Sequence, residues 1–243
     1  MNRIKMIFGL VGMIFANPVF AQYGFIQDPD GFVNVRPTNS LNSKVIAKLN
    51  NGEVVSIINE YSDHNFNYVL NSELPTDSGF IHKSRINRFQ GFQKWEIESN
   101  SKFHAQYRSG QGTVKIETQQ AQINPKDFKF GSISQPFQRY KNKDFFGTDG
   151  QLPTGSLQFK SIEVQWNGKK ISLSSKDLEQ YFFPSTPRVK GGKQDFAEAE
   201  IYSKDKDLYI INTLAVGGAA QYTLIIHIQN GKVISTRAWN ESI

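Results

Sequence analysis

The chain has 243 residues, a formal charge of +6 and no cysteine. The lack of cysteine excludes thiol nucleophiles, zinc–thiolate sites, iron–sulfur clusters and disulfide staples. The basic residues are scattered rather than clustered. This argues against a nucleic-acid footprint and favours weak attraction to anionic envelope polymers.

The first 21 residues have the pattern of a secretory signal peptide. Arg3 and Lys5 precede an apolar run, Asn17-Pro18 breaks it, and Val19 to Ala21 offers the small residues that a signal peptidase reads. A membrane anchor would need about 20 apolar residues, more than this run has. We therefore expect cleavage after Ala21 and a soluble periplasmic or secreted chain of charge +6 − 2 = +4. No cysteine follows the cleavage point, which excludes lipid anchoring through that residue.

Short apolar strands predict a compact β unit over residues 22–89. Phe32 to Val35 alternates, Val45 to Leu49 and Val54 to Ile58 are apolar, and Asn, Gly and Pro residues separate them. Strands this short, divided by such turn signals, indicate a small β-barrel rather than a helical unit.

Four short motifs in this unit resemble those of the bacterial SH3-like (SH3b) domain. They are Asn34-Val35-Arg36, Lys44-Val45-Ile46, Asn51-Gly52-Glu53 and Gly79-Phe80-Ile81. The resemblance covers about a quarter of the chain. It implies an SH3-like barrel that recognises a peptide, either of peptidoglycan or of an envelope protein.

Several aromatic residues of this unit are candidates for a peptide-binding groove. They are Phe32, Tyr61, Phe66, Tyr68 and Phe80. Half or more must lie in the barrel core, because neighbours along a strand point to opposite faces. We expect Tyr61 and Tyr68 to be partly exposed, and we take Tyr61, Tyr68, Phe66 and Arg36 as the ligand-binding candidates.

Residues 90–243 predict an antiparallel β domain with one docked helix, so that the whole chain is all-β. The strongest hairpin runs from Ser161 to Leu173, because Asn167-Gly168 readily takes the two positive φ values of a type I′ turn. Ser174 and Asp177 form a capping box for a helix that Pro184 ends. The apolar run from Tyr222 to Ile228 predicts a strand buried on both faces.

This second half resembles the C-terminal domain of small exported Gram-negative proteins of unknown function. The residues behind the resemblance are Phe146 to Pro153, Asn167-Gly168-Lys169, Gly217 to Tyr222 and Asn230-Gly231-Lys232. Two loops of this half are candidate partner-binding loops. Their candidate residues are Asp149, Gly217, Gly218 and Gln221. The Gly-rich loop is alternatively a plain strand connection, since Gly marks such bends.

No motif of catalysis, cofactor binding or metal ligation stands out. The four histidines, which share no short motif, are His64, His82, His104 and His227. We therefore predict no metal site, no cofactor and no enzyme activity. A glycosidase pair, for which Asp144 and Asp149 are the available carboxylates, stays open because sequence does not fix their separation. His227 lies in an apolar strand and is expected to be a hydrogen-bonded core residue.

These features predict an exported, non-catalytic binding protein of the cell envelope, with peptidoglycan or an envelope protein as its partner. An inhibitor or immunity-type protein that blocks a toxin or a cell-wall hydrolase is the alternative. We expect no nucleic-acid partner and no membrane span.

Overall fold

The computed structural model describes residues 22–58, 61–63, 65–101, 103–130, 137–147, 152–183, 189–190, 193–194, 199–215 and 220–241. The predicted signal peptide lies outside these residues. The described chain consists of antiparallel sheets, two short 3-10 turns and connecting loops, which confirms the all-β class. None of its helices is long and apolar enough to cross a membrane.

The N-terminal unit contains seven short strands. They are β1 (Tyr23–Ile26), β2 (Phe32–Val35), β3 (Ala47–Asn50), β4 (Val54–Ile58), β5 (Phe66–Leu70), β6 (Ser78–His82) and β7 (Ile86–Asn87). Five of them form the N-terminal sheet, in the order β6-β5-β4-β1-β7, while β2 and β3 form a separate hairpin. A 3-10 turn, Lys83–Arg85, joins β6 to β7.

The hairpin closes over one face of the N-terminal sheet. Val33, Val35 and Leu49 of the hairpin share a buried core with residues such as Val55 and Ile81 of the sheet. The end of β2 meets β6 through a backbone pair, in which the Arg36 N–H donates to the Phe80 carbonyl at 3.1 Å and the reverse bond measures 2.8 Å. The unit is therefore a sheet folded around its own core.

The remaining strands form a second unit. They are β8 (Gln93–Lys94), β9 (Glu96–Ser101), β10 (His104–Ser109), β11 (Gly112–Gln120), β12 (Phe128–Phe130), β13 (Phe137–Tyr140), β14 (Lys143–Asp144), β15 (Leu157–Trp166), β16 (Lys169–Ser174), β17 (Phe182–Phe183), β18 (Val189–Lys190), β19 (Lys193–Gln194), β20 (Ala199–Lys204), β21 (Asp207–Leu214), β22 (Tyr222–Gln229) and β23 (Lys232–Asn240). The middle sheet has the order β23-β22-β21-β20-β8, and the outer sheet has the order β16-β15-β11-β10-β9, with β17 also paired to β15.

The middle and outer sheets pack face to face as a sandwich. Ile210 and Ile226 of the middle sheet share a large buried core with Ile116 and Val164 of the outer sheet. The predicted turn between β15 and β16 is confirmed, since Asn167 has φ 48° and Gly168 has φ 74°, as a type I′ turn requires.

A third, smaller sheet lies beside the sandwich. This side sheet has the order β12-β13-β14, and a 3-10 turn, Pro125–Asp127, precedes it. Phe128, Tyr140 and Phe145 pack there with Phe182 as a separate aromatic core. The two-stranded hairpin β18-β19 completes the described strands.

The helix predicted after Ser174 is wrong, because residues 175–180 form consecutive turns. The predicted cap contacts do form, since the Ser174 N–H and hydroxyl donate to Asp177 Oδ2 at 2.8 and 2.7 Å. Only seven residues separate β16 from β17. So short a segment does not repay the cost of helix nucleation, and β17 pairs with β15 instead.

The middle sheet is buried on both faces. On one face it contacts the outer sheet, and on the other face Tyr209, Ile211 and Ile225 share a core with Tyr23 and Val54 of the N-terminal sheet. This arrangement confirms the prediction for β22, in which residues Tyr222 to Ile228 are all buried. The three sheets therefore stack in the order N-terminal, middle and outer.

Candidate functional site

The N-terminal sheet is offset from the middle sheet beneath it. Contacts between the two come from β1, from β4 and from Leu70 at the end of β5. Side chains at alternate positions of a strand share one face. Tyr68 therefore lies on the same face as Leu70, and register places Phe80 directly opposite Tyr68. This face continues beyond the shared core toward solvent.

Three aromatic rings form a ladder on this continuation, and we call Tyr61, Tyr68 and Phe80 the aromatic surface. The ring centroids of Tyr61 and Tyr68 are 5.4 Å apart, and those of Tyr68 and Phe80 are 5.0 Å apart. Tyr61 is 51% exposed, whereas Tyr68 and Phe80 are half-buried. Rings at these separations form a firm contact area without first having to be ordered.

Local hydrogen bonds fix the loop that carries Tyr61. Ser62 Oγ donates to the Ile58 carbonyl at 2.9 Å and accepts from the Tyr68 N–H at 3.0 Å. Asp63 Oδ1 accepts from the N–H groups of Phe66 at 2.7 Å and Asn65 at 2.8 Å. These bonds, that of Phe66 foremost, lower the pKa of Asp63. The loop therefore holds Tyr61 against β5 through an ionised carboxylate.

A second loop, residues 37–46, adjoins the aromatic surface. Asn39 Nδ2 donates to Asp63 Oδ2 at 2.7 Å, which ties this loop to the Tyr61 loop. Leu41 and Val45 of the same loop are 67% and 45% exposed. The aromatic surface thus has exposed apolar neighbours on a loop to which it is hydrogen-bonded.

The other two ligand-binding candidates have structural partners. Phe66 is only 5% exposed, and its ring packs edge-on against His82 with centroids 5.4 Å apart. Arg36 Nη1 donates to the Ser43 carbonyl and so holds the base of the 37–46 loop. His82 caps the 3-10 turn after β6 through its bond to Ser84.

The candidate partner loops are only partly visible. Asp149, Gly217 and Gly218 lie outside the described residues. The Gln221 amide donates to Glu241 Oε2 at 2.9 Å. Its side chain therefore belongs to a polar network at the boundary between the two units.

Glu241 is the centre of this network, which the sequence did not indicate. Its Oε1 accepts from Ser56 Oγ at 2.8 Å and Tyr23 Oη at 3.2 Å, and also from Thr223. Ser56 Oγ accepts from Trp239 Nε1 at 3.1 Å. Burial, reinforced by the Glu241 charge, raises the pKa of Tyr23 well above its ordinary value. The network joins β1 and β4 to the middle sheet.

His227 forms a second polar contact at the same boundary. It is 6% exposed, its Nε2 lies 2.9 Å from Asp207 Oδ1, and its ring stacks on Tyr209 with centroids 4.0 Å apart. Burial lowers the pKa of His227, while Asp207 opposes the shift. The Tyr209 hydroxyl donates to the Gly52 carbonyl at 3.3 Å. His227 is thus a hydrogen-bonded residue of the shared core.

The carboxylates weighed for catalysis do not form a described pair. Asp144 lies on the side sheet, with Oδ1 3.5 Å from Arg139 Nη2, and Asp149 is outside the described residues. Within the described part of the chain, no group of three His, Asp or Glu residues is placed to hold a metal ion. No protein-family model and no curated protein matches the chain.

Proposed function

We propose that the protein is an exported, non-catalytic binding protein of the cell envelope, and that its N-terminal unit is an SH3-like barrel. The aromatic surface of this barrel recognises an extended peptide. Cell-wall stem peptides and peptide segments of envelope proteins share this chemistry, and the experiment below distinguishes them.

The exposed aromatic ladder carries this proposal. Tyr61 is the most exposed of the three rings, and it is fixed in place by hydrogen bonds on both sides of its loop. Rigid aromatic side chains offer a large contact area at low entropic cost, which is why peptide grooves use them. The neighbouring Leu41 and Val45 extend the apolar area that a peptide would cover.

The signal-peptide pattern and the SH3b-like motifs support an envelope location. Arg3, Lys5 and the Val19 to Ala21 cleavage pattern favour export. The mature charge of +4 favours contact with anionic envelope polymers.

The test is retention of the mature chain on purified sacculi, in parallel with binding to immobilised peptides from envelope proteins. Wild type is compared with the double variant Tyr61→Ala/Tyr68→Ala. Loss of two contact aromatics is expected to weaken binding by about tenfold to a hundredfold, because each such side chain contributes on the order of 1–2 kcal/mol. Retention on sacculi alone identifies the cell wall as the source, and retention on peptides alone identifies an envelope protein.

Phe103→Ala is the matched control. Phe103 is 46% exposed, close to Tyr61, but it lies on the outer sheet, remote in the chain from the barrel. This variant should bind like wild type. Equal binding by the double variant and wild type, or equal losses in the double variant and the control, would overturn the proposal.

A further inference from the structure

The last strand of the middle sheet has a free edge. Among the described residues, β23 pairs with β22 alone and stands at the end of the sheet order. An unpaired strand edge presents main-chain N–H and C=O groups that another chain can pair with.

The register identifies which residues of β23 point to that edge. The Glu241 N–H donates to the Gln221 carbonyl directly opposite it at 3.0 Å, so this is a hydrogen-bonded pair. Such pairs alternate along an antiparallel ladder. Trp239 and Arg237 therefore bond inward to β22, whereas Ala238 and Thr236 direct their N–H and C=O groups outward.

Thr236 and Ala238 line a cleft of about 410 Å³. Ser72 and Glu73 of the N-terminal unit form one wall. The opposite wall belongs to the side sheet and its flank, with Arg139, Asn142, Lys143, Asp144, Phe146, Gln180 and Tyr181. A volume of this size is within the range of peptide and small-ligand sites. The free edge is thus the base of a groove with side chains on both sides.

Two buried polar atoms of the lining residues lack a hydrogen-bond partner in the described part of the chain. One is the donor Arg237 Nε and the other is the acceptor Gln180 Oε1. A peptide group supplies both an acceptor and a donor. Leaving such groups unpaired is costly, so a ligand that satisfies them gains binding energy.

The charges of the cleft favour an acidic ligand. The lining carries three cationic side chains, Arg139, Lys143 and Arg237, against the two carboxylates Glu73 and Asp144, a balance of 3 − 2 = +1. Lys143 also lies 3.1 Å from Glu179, and Arg237 lies 3.0 Å from Glu73, so the cations are held in place at the rim. A carboxylate is complementary to this balance, whereas a basic side chain is not.

We propose that β23 is a second binding site, distinct from the aromatic surface, which takes a short extended peptide with an acidic side chain. The peptide adds as a strand to the outward groups of Thr236 and Ala238. Its side chains lie alternately toward the N-terminal unit and the side sheet. A second copy of this chain is disfavoured as the occupant, because the walls of the cleft restrict access to the edge.

The experiment screens an immobilised library of acetylated, amidated hexapeptides of random sequence against the full mature chain. Wild type is expected to enrich peptides with Asp or Glu. The variant Thr236→Pro removes one outward N–H while leaving the bonds to β22 in place, since proline is tolerated at such edge positions. It should bind the enriched peptides at least tenfold more weakly.

Ser172→Pro is the control on the free edge of the outer sheet. Trp166 and Lys169 close a two-residue turn and form a hydrogen-bonded pair, which places the Ser172 N–H outward. This variant should bind like wild type. Tyr61→Ala/Tyr68→Ala should also keep this binding, so that failure of the aromatic-surface proposal and failure of this one are separable.

Amide hydrogen exchange on the wild-type chain tests the geometry without any variant. Saturation with an enriched peptide should slow exchange of the Thr236 and Ala238 amides at least tenfold, while those of Arg237 and Trp239 are already protected by β22. Absence of any enriched peptide, enrichment of basic peptides, or no new protection at Thr236 and Ala238 would overturn the proposal.

Discussion

Gly79 shows how one residue sets the shape of the N-terminal unit. A Cβ atom at this position would lie 2.5 Å from Val35 Cγ1 and 3.2 Å from the Arg36 carbonyl oxygen. The close approach of β2 and β6 therefore requires glycine, and the Arg36–Phe80 backbone pair depends on it.

Gly79→Ala is expected to lower the free energy of unfolding by about 1–3 kcal/mol, as overpacking does elsewhere. Denaturant unfolding measures the change. Gly110→Ala is the control, since a Cβ there meets no atom within 4 Å. Equal stability of Gly79→Ala and Gly110→Ala would contradict the account of this crossing.

His227 makes stability depend on pH. Burial holds its folded pKa below the ordinary value, so the unfolded chain binds more protons as the pH falls below about 6.5. The groups that face it are Asp207, Tyr209 and the Gly52 turn with Glu53. The stability that neutral His227 contributes is present above pH 6.5 and lost on acidification.

We expect the unfolding midpoint in urea to fall between about pH 7 and pH 5 in wild type. The variant His227→Gln has no titrating ring and should show a smaller fall over the same range. Identical pH profiles for the two proteins would show that His227 does not titrate with unfolding.

At the scale of single residues, sequence predicts what local geometry decides. The Asn167-Gly168 turn was predictable because its φ values are a local property of those residue types. The burial of Phe66 was not, because alternation along β5 places Phe66 and Tyr68 on one face without saying where cover ends. The roles of Glu241 and Arg237 depend on partners about 160 or more residues away, and neither carries a local signal.

Elements of this fold are decided by what they pack against. The segment after Ser174 has helix-capping residues, yet it forms turns because β17 competes for the same residues. The apolar run of β22 indicated burial on both faces correctly. It did not indicate that the second covering layer is the N-terminal sheet, because periodicity describes a strand and not its neighbours.

The contact between β1 and the middle sheet depends on Tyr23. Its hydroxyl lies 2.9 Å from Thr213 Oγ1 and 3.1 Å from Thr223 Oγ1, and it donates to Glu241. Tyr23→Phe keeps the ring and leaves these partners less satisfied. We expect a loss of about 1–3 kcal/mol in unfolding free energy, measured by chemical denaturation.

Tyr107→Phe is a matched control for this loss. Tyr107 is also a buried strand tyrosine, but it lies in the core between the middle and outer sheets. A comparable ring change there leaves the contact between β1 and the middle sheet intact, so the two units should separate no more readily than in wild type. A Tyr23→Phe protein as stable as wild type would show that the polar network adds nothing.

At the scale of the whole molecule, the two units share a core. Phe89 of the connecting segment stacks on Tyr202 at 4.3 Å, and Trp239 and Tyr209 lie in the same buried cluster as Tyr23 and Val54. Separating the units would expose these aromatic side chains, each worth about 1.5–3 kcal/mol of burial. The barrel and the sandwich therefore stabilise each other.

Calorimetry of the mature chain should show one unfolding transition rather than two. Trp239→Ala is expected to lower the transition temperature, since loss of a buried Trp costs about 3–5 kcal/mol. Ile234→Ala, which removes a 53% exposed side chain from the same strand, should leave the transition nearly unchanged. Two separate transitions in wild type would show that the shared core does not couple the units.

The central claim, that the aromatic surface is where a peptide binds, is tested most directly by NMR on the mature chain with ring-labelled tyrosine. The chain has nine tyrosines, two of which belong to the aromatic surface. Soluble stem peptides and the peptides retained in the binding assay are titrated in turn. The account predicts that a binding peptide shifts the Tyr61 and Tyr68 resonances while Tyr107, buried between the middle and outer sheets, stays unchanged. Binding that leaves Tyr61 and Tyr68 unshifted would contradict it.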